Sequence, residues 1–202
     1  MSEPLTPLPR SFYEAPVLNV AEAMIGALLV HRAREGLAAG RIVECEAYRG
    51  PEDLAAHSAG GRRTKRTEVM FGPPGHAYMF LLYGMHWAFN AVVGPEGHPH
   101  AVLVRAVEPV LGVDLMASRR GVDPAKVTLT NGPGKVAAAL GLDARAYGLD
   151  LSGDVVFLAS GEARGKIGRS PRINVDYAGA WKDKPWRFHE RGNRYVSVPP
   201  RD

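Results

Sequence analysis

Residues 76–93 read HAYMFLLYGMHWAFNAVV. Both halves of this stretch, 76–83 and 87–93, are rich in aromatic side chains, which favour strands. Only Gly84, Met85 and His86 separate the halves, which predicts a tight β-hairpin with Tyr83 at its tip. A bulky ring at such a tip is badly placed for a core and well placed to wedge into a binding partner.

The sequence on either side of the hairpin adds short strands and interspersed helices. Strand patterns occur at 38–48, 101–107, 154–159, 172–175 and 186–198. Helical patterns occur at 20–32, where Asn19 is a candidate cap, at 109–119 and at 134–140. Strands dominate without regular β-α alternation, so we predict an α+β fold: one domain with a curved, mainly antiparallel β-sheet flanked by helices, and a protruding β-hairpin.

Length and composition indicate one ordinary folded domain over 1–202, with an N-terminal arm at 1–17. The chain is 46% hydrophobic and 23% charged, and no apolar run approaches the roughly 20 residues that span a bilayer. The first fifteen residues lack the apolar segment of a signal peptide, and the single cysteine, Cys45, excludes an internal disulfide. We therefore expect a cytoplasmic protein that does not associate with membranes.

Positive charge is unevenly distributed along the chain. The net charge is +4, and residues 160–202 hold 10 Lys or Arg against 5 Asp or Glu. A second basic cluster consists of Arg62, Arg63, Lys65 and Arg66. Nineteen of the 25 cations are arginine, the side chain that binds phosphate with two parallel hydrogen bonds. Two interpretations stay open here: a surface for an anionic partner, or an ordinary solvated face.

Two acids in the strand pattern 38–48 are candidates for chemistry. Alternation places Ile42, Glu44, Glu46 and Tyr48 on one strand face, opposite Val43, Cys45 and Ala47. Carboxylates two residues apart on one face lie within about 7 Å, and if the face is buried one of them can serve as a general base. The alternative is a solvent-facing strand edge with two harmless acids, and the spacing does not choose between them.

Aromatic side chains are dense around the hairpin and Glu46. Tyr48, Tyr78, Phe80 and Trp87 are accompanied by His57 and His86, which suits either a core or a pocket for a flat ligand. Metal binding by Asp53 with His57, or by His98 with His100, lacks the spacing of a known metal motif, so we expect no metal site.

The segment 132–135, GPGK, is similar in part to a phosphate loop. Leu129 and Val136 replace residues that a Walker A motif requires, so it is not one. Its backbone N–H groups and Lys135 at a predicted helix start still suit contact with a phosphate.

Several motifs, taken in order, resemble the alkyladenine (N-methylpurine) DNA glycosylase family. They are RIVECEAY at 41–48, GPED at 50–53, AHS at 56–58, MFGPPG at 70–75, YGM at 83–85, Asn90, AVLVRAVEP at 101–109, GPGK at 132–135, RI at 172–173 and PWRF at 185–188. The resemblance covers residues 18–198, which we take as the core of the domain.

The resemblance implies a function in DNA repair. The family removes 3-methyladenine, 7-methylguanine, hypoxanthine and ethenoadenine from duplex DNA, uses no metal, and requires no cofactor. The expected partner is double-stranded DNA that contains damaged purines, and one extruded base needs one site, so we expect a monomer. Hydrolysis by one activated water implies a monofunctional enzyme that leaves an abasic site. The alternative is a catalytically silent protein of the same fold that binds lesions or other nucleic acid.

The resemblance also implies roles for individual residues. Glu46 matches the general base, with Glu44 as its neighbour and Arg105 beside the catalytic water; Tyr48, His57, Phe80 and Asn90 match the base pocket; Tyr83 matches the intercalating residue. Arg62, Arg63, Arg66 and Lys135 are candidates for contact with the DNA backbone. The chain departs from the family at Phe80, where some members have tyrosine, at Thr67, where asparagine is common, and at Cys45, which replaces threonine.

Overall fold

The frame of the protein is an antiparallel sheet centred on the 14-residue strand β2. In the computed structural model, which describes residues 5–199, the strands are β1 (Leu28–Ala33), β2 (Gly36–Arg49), β3 (Ala77–Leu82), β4 (His86–Val93), β5 (His100–Leu111), β6 (Val156–Ala159), β7 (Ile167–Ser170) and β8 (Arg187–Glu190). The order is β3-β4-β5-β2-β1-β6, and β8 pairs with both β2 and β7. The sheet and its helices confirm the predicted α+β class.

In the described part of the chain, four α-helices and five 3₁₀ segments cover and connect the strands. The helices are α1 (Arg10–Tyr13), α2 (Val17–Met24), α3 (Val113–Arg120) and α4 (Pro133–Leu140); the 3₁₀ segments are Ala59–Gly61, Glu68–Phe71, Val127–Leu129, Ala144–Ala146 and Asp176–Asp183. Helix α2 packs on β2 and β5, and α4 packs on β4 and β5. Between them lie fully buried side chains such as Met24, Phe89 and Leu140, each worth about 1.5–3 kcal/mol of burial. Within residues 5–199, none of the helices has the length and apolarity needed to traverse a bilayer.

The helix predicted at 20–32 is wrong in both its start and its end. Helix α2 begins at Val17 after Pro16, so Asn19 lies inside it, and it ends at Met24. Gly26 then adopts a φ of +99°, and residues 28–31 pair with β2 on one side and β6 on the other. The apolar pattern runs on past Met24 because α2 and β1 both bury apolar side chains. The pairing of β1 with two neighbouring strands, and not this pattern, determines its conformation.

Gly26 makes this change of direction possible, and its replacement tests the account. A Cβ atom at Gly26 would lie 2.2 Å from the backbone nitrogen of Ala163. We expect Gly26→Ala to lower the free energy of unfolding by about 2–4 kcal/mol, because left-handed strain and overpacking add. Gly60→Ala is the control, since Gly60 has a φ of +66° with nothing within 4 Å of its Cβ position. Equal losses in urea denaturation of the two variants would contradict the close approach.

Three other predicted elements differ from the structure by more than about two residues. Strand β5 continues to Leu111, Gly112 turns the chain with a φ of +67°, and α3 begins at Val113, so the start predicted for the helix at 109–119 is too early. The strand predicted at 172–175 is absent, because the N–H of Ile173 donates to a carboxylate side chain. Of the strand predicted at 186–198, only Arg187–Glu190 is extended in a ladder. The helix predicted at 134–140 is confirmed by α4.

A β-bulge in β2 changes which side chains face the site. The pairing with β5 shifts between Ile42 and Glu44, so Val43 is an extra residue. Ile42 therefore packs in the main core with Cys45, while Val43 packs in a separate cluster with Ala106. The prediction that Ile42 shares a face with Glu44 is wrong for this reason.

The hairpin is confirmed and its tip projects into solvent. Strands β3 and β4 pair from Ala77 with Ala91 to Leu82 with His86. Tyr83 and Gly84 have φ values of 51° and 71°, and the N–H of Met85 donates to the carbonyl of Leu82 at 3.0 Å. Tyr83 is 78% exposed and Met85 is 71% exposed. Glycine adopts this left-handed conformation without steric cost, whereas a tyrosine is strained in it.

The N-terminal arm contacts the sheet. Residues 1–4 of the arm predicted at 1–17 lie outside the described part of the chain. Pro7 forms a bridge with Ala159 of β6, and the N–H of Leu8 donates to the carbonyl of Leu158 at 2.7 Å. Helix α1 and the first residue of α2 lie in the remainder of this segment.

Candidate functional site

A cavity of about 510 Å³ opens beneath the hairpin, bounded by β5, the start of α4 and residues 173–177. Its volume is that of a typical small-molecule pocket. Its aromatic lining comprises Tyr48, His57, Tyr78, Phe80, Tyr83 and Tyr177, and its polar lining comprises His86, Asn90, Arg105, Arg120, Lys135 and Asn174. Seven of the predicted site residues therefore meet in one place: Tyr48, His57, Phe80, Tyr83, Asn90, Arg105 and Lys135.

Glu46 lies directly behind this lining and is fully buried. The Tyr48 hydroxyl donates to its Oε2 at 2.8 Å, and Arg105 Nη1 donates to the same oxygen at 3.3 Å. The N–H of Ile173 donates to Oε1 at 2.8 Å. All three partners belong to residues that line the cavity, so the carboxylate lies immediately behind the cavity wall.

Burial and neighbouring charges set the protonation states of Tyr48 and Arg105 beside Glu46. Burial, followed by the Glu46 carboxylate, raises the pKa of the Tyr48 phenol well above its ordinary value. Burial alone lowers the pKa of the Arg105 guanidinium, but Glu46 and Glu44 raise it to a net value above the ordinary one. Tyr48 therefore remains a hydrogen-bond donor and Arg105 remains a cation at neutral pH.

Glu44 has a different environment from Glu46, although both are fully buried. Its Oε1 lies 2.9 Å from Arg187 Nε and 3.4 Å from Arg105 Nε. The backbone N–H of Ser197 donates to Oε2 at 2.6 Å, and the Ser197 hydroxyl donates to Oε1 at 3.0 Å. The solvent-facing alternative for the two acids is wrong, and Glu44 anchors the guanidinium that reaches Glu46.

His57 and two rings form one wall of the cavity. His57 Nδ1 lies 2.7 Å from the Tyr78 hydroxyl, and its ring meets Phe80 edge-on with centroids 4.5 Å apart. Asn90 is buried, and its Nδ2 donates to the Tyr78 carbonyl at 3.0 Å. Burial, together with the charges of Arg66 and Arg62, lowers the pKa of His57 to about 4. The imidazole is therefore neutral at pH 7.

The lowered pKa of His57 predicts a dependence of stability on pH. Between about pH 6.5 and about pH 4 the unfolded chain binds a proton at His57 that the folded protein does not. We expect stability to fall as the pH drops through this range, by up to about 2–3 kcal/mol from this group, and His57→Gln to lose less. Urea denaturation at about pH 7 and about pH 4.5 measures the difference. The exposed His98 supplies the control variant His98→Gln, and an equal decline in wild type and His57→Gln would contradict the prediction.

A hydrogen bond joins the hairpin tip to the opposite rim of the cavity. Asn174 Nδ2 donates to the Tyr83 hydroxyl at 3.3 Å. Among residues 5–199 these two are the only non-glycine residues with positive φ. At the base of the hairpin, Gly134 packs so closely that a Cβ there would lie 2.7 Å from His86 Cβ, and the neighbouring Lys135 Nζ donates to Asn131 Oδ1 at 2.8 Å.

The basic cluster lies near the cavity without lining it. Arg62, Arg63 and Arg66 are exposed, and Arg63 binds Glu68 through two hydrogen bonds of 3.0 and 2.6 Å. Thr67 is buried, and its hydroxyl donates to the Arg62 carbonyl at 3.1 Å, which fixes this loop. The departure at Cys45 falls in the main core, where its thiol contacts the Ala21 carbonyl at 3.1 Å.

Sequence reasoning gave no role at the site to three buried polar residues, Asp53, Arg172 and Arg187, or to the half-buried Ser197. Arg187 and Ser197 hold Glu44, and Arg172 forms an ion pair with Asp53 beside Tyr48. A usable signal was present, because an arginine within an apolar, aromatic run requires a buried carboxylate partner. Among the described residues, no group of three or more His, Cys, Asp or Glu side chains is arranged to hold a metal.

Comparison with known proteins identifies relatives over nearly the whole chain. Residues 11–194 match the family model described as methylpurine-DNA glycosylase. A protein of Bacillus cereus (strain G9842) is 46% identical over 200 residues, covering 94% of this chain and 98% of the relative. A protein of Bacillus anthracis (strain CDC 684 / NRRL 3495) has the same identity and coverage, and both carry the name "Putative 3-methyladenine DNA glycosylase". Because the family model spans residues 11–194 and these relatives match nearly the whole chain, the chain belongs to the methylpurine-DNA glycosylase family.

Proposed function

We propose that this protein is a monofunctional DNA glycosylase that extrudes alkylated or deaminated purines from duplex DNA and hydrolyses their N-glycosidic bond. The observation that carries the proposal is the buried Glu46 behind an aromatic cavity whose rim bears the exposed ring of Tyr83. Its substrates are 3-methyladenine and 7-methylguanine, with hypoxanthine and ethenoadenine as further candidates. It acts as a monomer, because one extruded base occupies one cavity.

Extrusion assigns a task to each part of the cavity. A base inside a duplex is inaccessible, and its extrusion costs a few kcal/mol. The ring of Tyr83 fills the gap in the stack, while Tyr48, Phe80 and His57 receive the purine. Base stacking on an aromatic side chain is worth about 1–3 kcal/mol, so two such contacts offset the cost.

The neutral state of His57 favours cationic substrates. Purines methylated at N3 or N7 carry a positive charge, which electron-rich rings attract with about 0.5–2 kcal/mol. Because the pKa of His57 is lowered to about 4, the imidazole adds no opposing charge at pH 7. The site therefore suits a charged, already weakened purine better than a normal base.

The chemistry requires one water molecule and one general base. The water oxygen attacks the sugar C1′, the C1′–N9 bond breaks, and its electron pair leaves with the purine. Glu46 takes the proton of the attacking water, and Arg105, which contacts Glu46 at 3.3 Å, holds the carboxylate toward the cavity. The products are the free base and an abasic site. Lys135, which lines the cavity and donates from Nζ to Asn131 Oδ1 at 2.8 Å, takes no part in this step.

Single-turnover base release tests the proposal. Duplexes that carry 7-methylguanine, ethenoadenine or hypoxanthine are incubated with excess protein, and free base and strand breaks are measured. The proposal predicts release of base with an intact strand that breaks only after alkali. Strand cleavage without alkali would contradict the monofunctional assignment, and binding without any release would favour a catalytically silent binding protein.

The basic cluster predicts a strong dependence of DNA binding on salt. Each neutralised phosphate contributes about −0.9 to the slope of log K against log salt. We expect Arg62→Ala and Arg66→Ala each to reduce the steepness of this slope by about one unit, because both guanidiniums are exposed beside the cavity. Fluorescence anisotropy on duplex DNA at several salt concentrations measures the slope. The exposed Lys126 supplies the control variant Lys126→Ala, and an unchanged slope in the arginine variants would remove their contact with phosphate.

A further inference from the structure

Arg172 is a buried cation outside the cavity lining whose contacts converge on the site. Its side chain and that of Asp53 are fully inaccessible, and its Nη1 and Nη2 donate to the two Asp53 oxygens at 2.5 and 2.9 Å. The same guanidinium donates to the carbonyls of Ala47 and Trp181 at 2.9 and 3.2 Å. A charge buried this deeply is retained at a high desolvation cost, so its position demands a reason.

One reason is the ring of Tyr48. The guanidinium carbon of Arg172 lies 4.8 Å from the centre of that ring, and it lies 5.2 Å from the ring of Trp186. Tyr48 lines the cavity and Arg172 does not, so the planar cation supports the ring from behind. Stacking of this kind fixes the ring plane on which a base would lie.

A second reason is Glu46. The residue after Arg172 is Ile173, whose N–H donates to Glu46 Oε1 at 2.8 Å. Residues 172–175 belong to none of the strands, and Asn174 has a φ of +58°, so no ladder holds this segment in place. The side-chain bonds of Arg172 to Asp53 and to the two carbonyls take over that task.

Asp53 is itself fixed by the chain that enters the cavity wall. Its oxygens accept from the N–H groups of Arg49 and Ala55 at 3.1 and 3.0 Å. Ala55 lines the cavity, and Arg49 directly follows Tyr48 in the sequence. The Asp53 carboxylate therefore joins Arg49 and Ala55, on the two sides of the turn after β2, to Arg172. Arg172 in turn precedes Ile173, whose N–H orients Glu46.

We infer that Arg172 is a positioning residue that couples the stacking ring of Tyr48 to the carboxylate of Glu46, with Asp53 as its fixed anchor. The inference rests on the proposed glycosylase function. Arg172 touches neither base nor water in this account. It sets the relative position of the purine plane and the group that activates the water, and displacement of either by about 1 Å costs on the order of 10²-fold in rate.

The test uses Arg172→Lys, which retains the charge but loses the bidentate bond and the flat stacking surface. We expect a 10- to 100-fold lower single-turnover rate of 7-methylguanine release, with affinity for undamaged duplex DNA within about twofold of wild type. The matched control is Arg169→Lys, because Arg169 is exposed and pairs with Glu22 away from the cavity. We expect its rate to equal that of wild type.

A double-mutant cycle separates positioning from general destabilisation. In a Tyr48→Leu background the ring that Arg172 supports is gone, so we expect Arg172→Lys to cost at most about a third of its original fold-loss. Losses that simply multiply would overturn the coupling, as would a wild-type rate in Arg172→Lys alone. If thermal denaturation shows that Arg172→Lys does not fold, Asp53→Asn, which frees the guanidinium while keeping the shape, carries the same expectation. Absence of release by wild type would instead refute the proposed function.

Discussion

Replacing Glu46 with glutamine is expected to lower the single-turnover rate of base release by about 10²–10⁴-fold. Glutamine has the same shape, but its amide cannot take a proton from water. Its amide oxygen can still accept from the Ile173 N–H, and its amide nitrogen can donate to the Tyr48 hydroxyl oxygen, so the cavity should persist. Rates measured with excess enzyme on a 7-methylguanine duplex, together with affinity for the same duplex, separate loss of chemistry from loss of binding.

The exposed Glu52, which pairs with Arg49, supplies the matched control variant Glu52→Gln. We expect this variant to release base at the wild-type rate, since its carboxylate lies outside the cavity lining. Retention of more than about a tenth of the wild-type rate by Glu46→Gln would exclude Glu46 as the general base. An equal drop in both variants would instead indicate a general effect of lost negative charge.

Replacing Glu44 with leucine is expected to have the largest effect on stability. Its carboxylate is the shared partner of Arg105 and Arg187, and leucine would leave two largely buried guanidiniums facing an apolar side chain. Breaking a buried ion pair by removing one partner costs about 3–5 kcal/mol. We therefore expect urea denaturation at neutral pH to show a loss of about that size in the free energy of unfolding.

Ser197→Ala is the control for this prediction. It removes the hydroxyl contact to Glu44 at 3.0 Å but leaves the backbone contact and both arginines in place. The expected loss is about 1 kcal/mol, that of one hydrogen bond. If Glu44→Leu lost no more than Ser197→Ala, the carboxylate would not be the anchor of the two guanidiniums.

Local sequence pattern predicts the elements that depend on local chemistry. The hairpin follows from two aromatic runs around Gly84, and α4 follows from an alanine-rich run between Pro133 and Gly141. Elsewhere, strand pairing and a β-bulge determine the structure, and local pattern does not predict them. Residues 28–33 became a strand because two neighbouring strands pair with it, and Ile42 changed sides because β2 contains an extra residue. Pairing partners and bulges leave little trace in a single stretch of sequence.

Seven of the side chains that line the cavity could be predicted from the sequence, but the buried ion pairs around them could not. Alternation correctly placed Glu44 and Glu46 on the same side of β2, whereas their different roles come from the resemblance alone and stay predictions. The basic C-terminal segment was interpreted as a surface, yet Arg172 and Arg187 from that segment are buried with carboxylate partners. Part of the positive surplus therefore holds the molecule together internally. Net charge cannot reveal this, because it does not distinguish a buried cation from an exposed one.

The close packing of Gly134 against His86 determines which partner deforms when protein and DNA meet. With α4 packed against the start of β4, with β3 and β4 paired up to Leu82 and His86, and with the Tyr83 hydroxyl bonded to Asn174, the hairpin tip is held from both sides. A stiff wedge leaves bending and unstacking to the duplex, which bears a cost of a few kcal/mol. Excision should then be fastest where the steps flanking a lesion are soft, such as pyrimidine–purine steps, and slowest in rigid A-tracts. For the proposed glycosylase, the mechanical properties of the neighbouring DNA would then be a second determinant of which lesions are excised first.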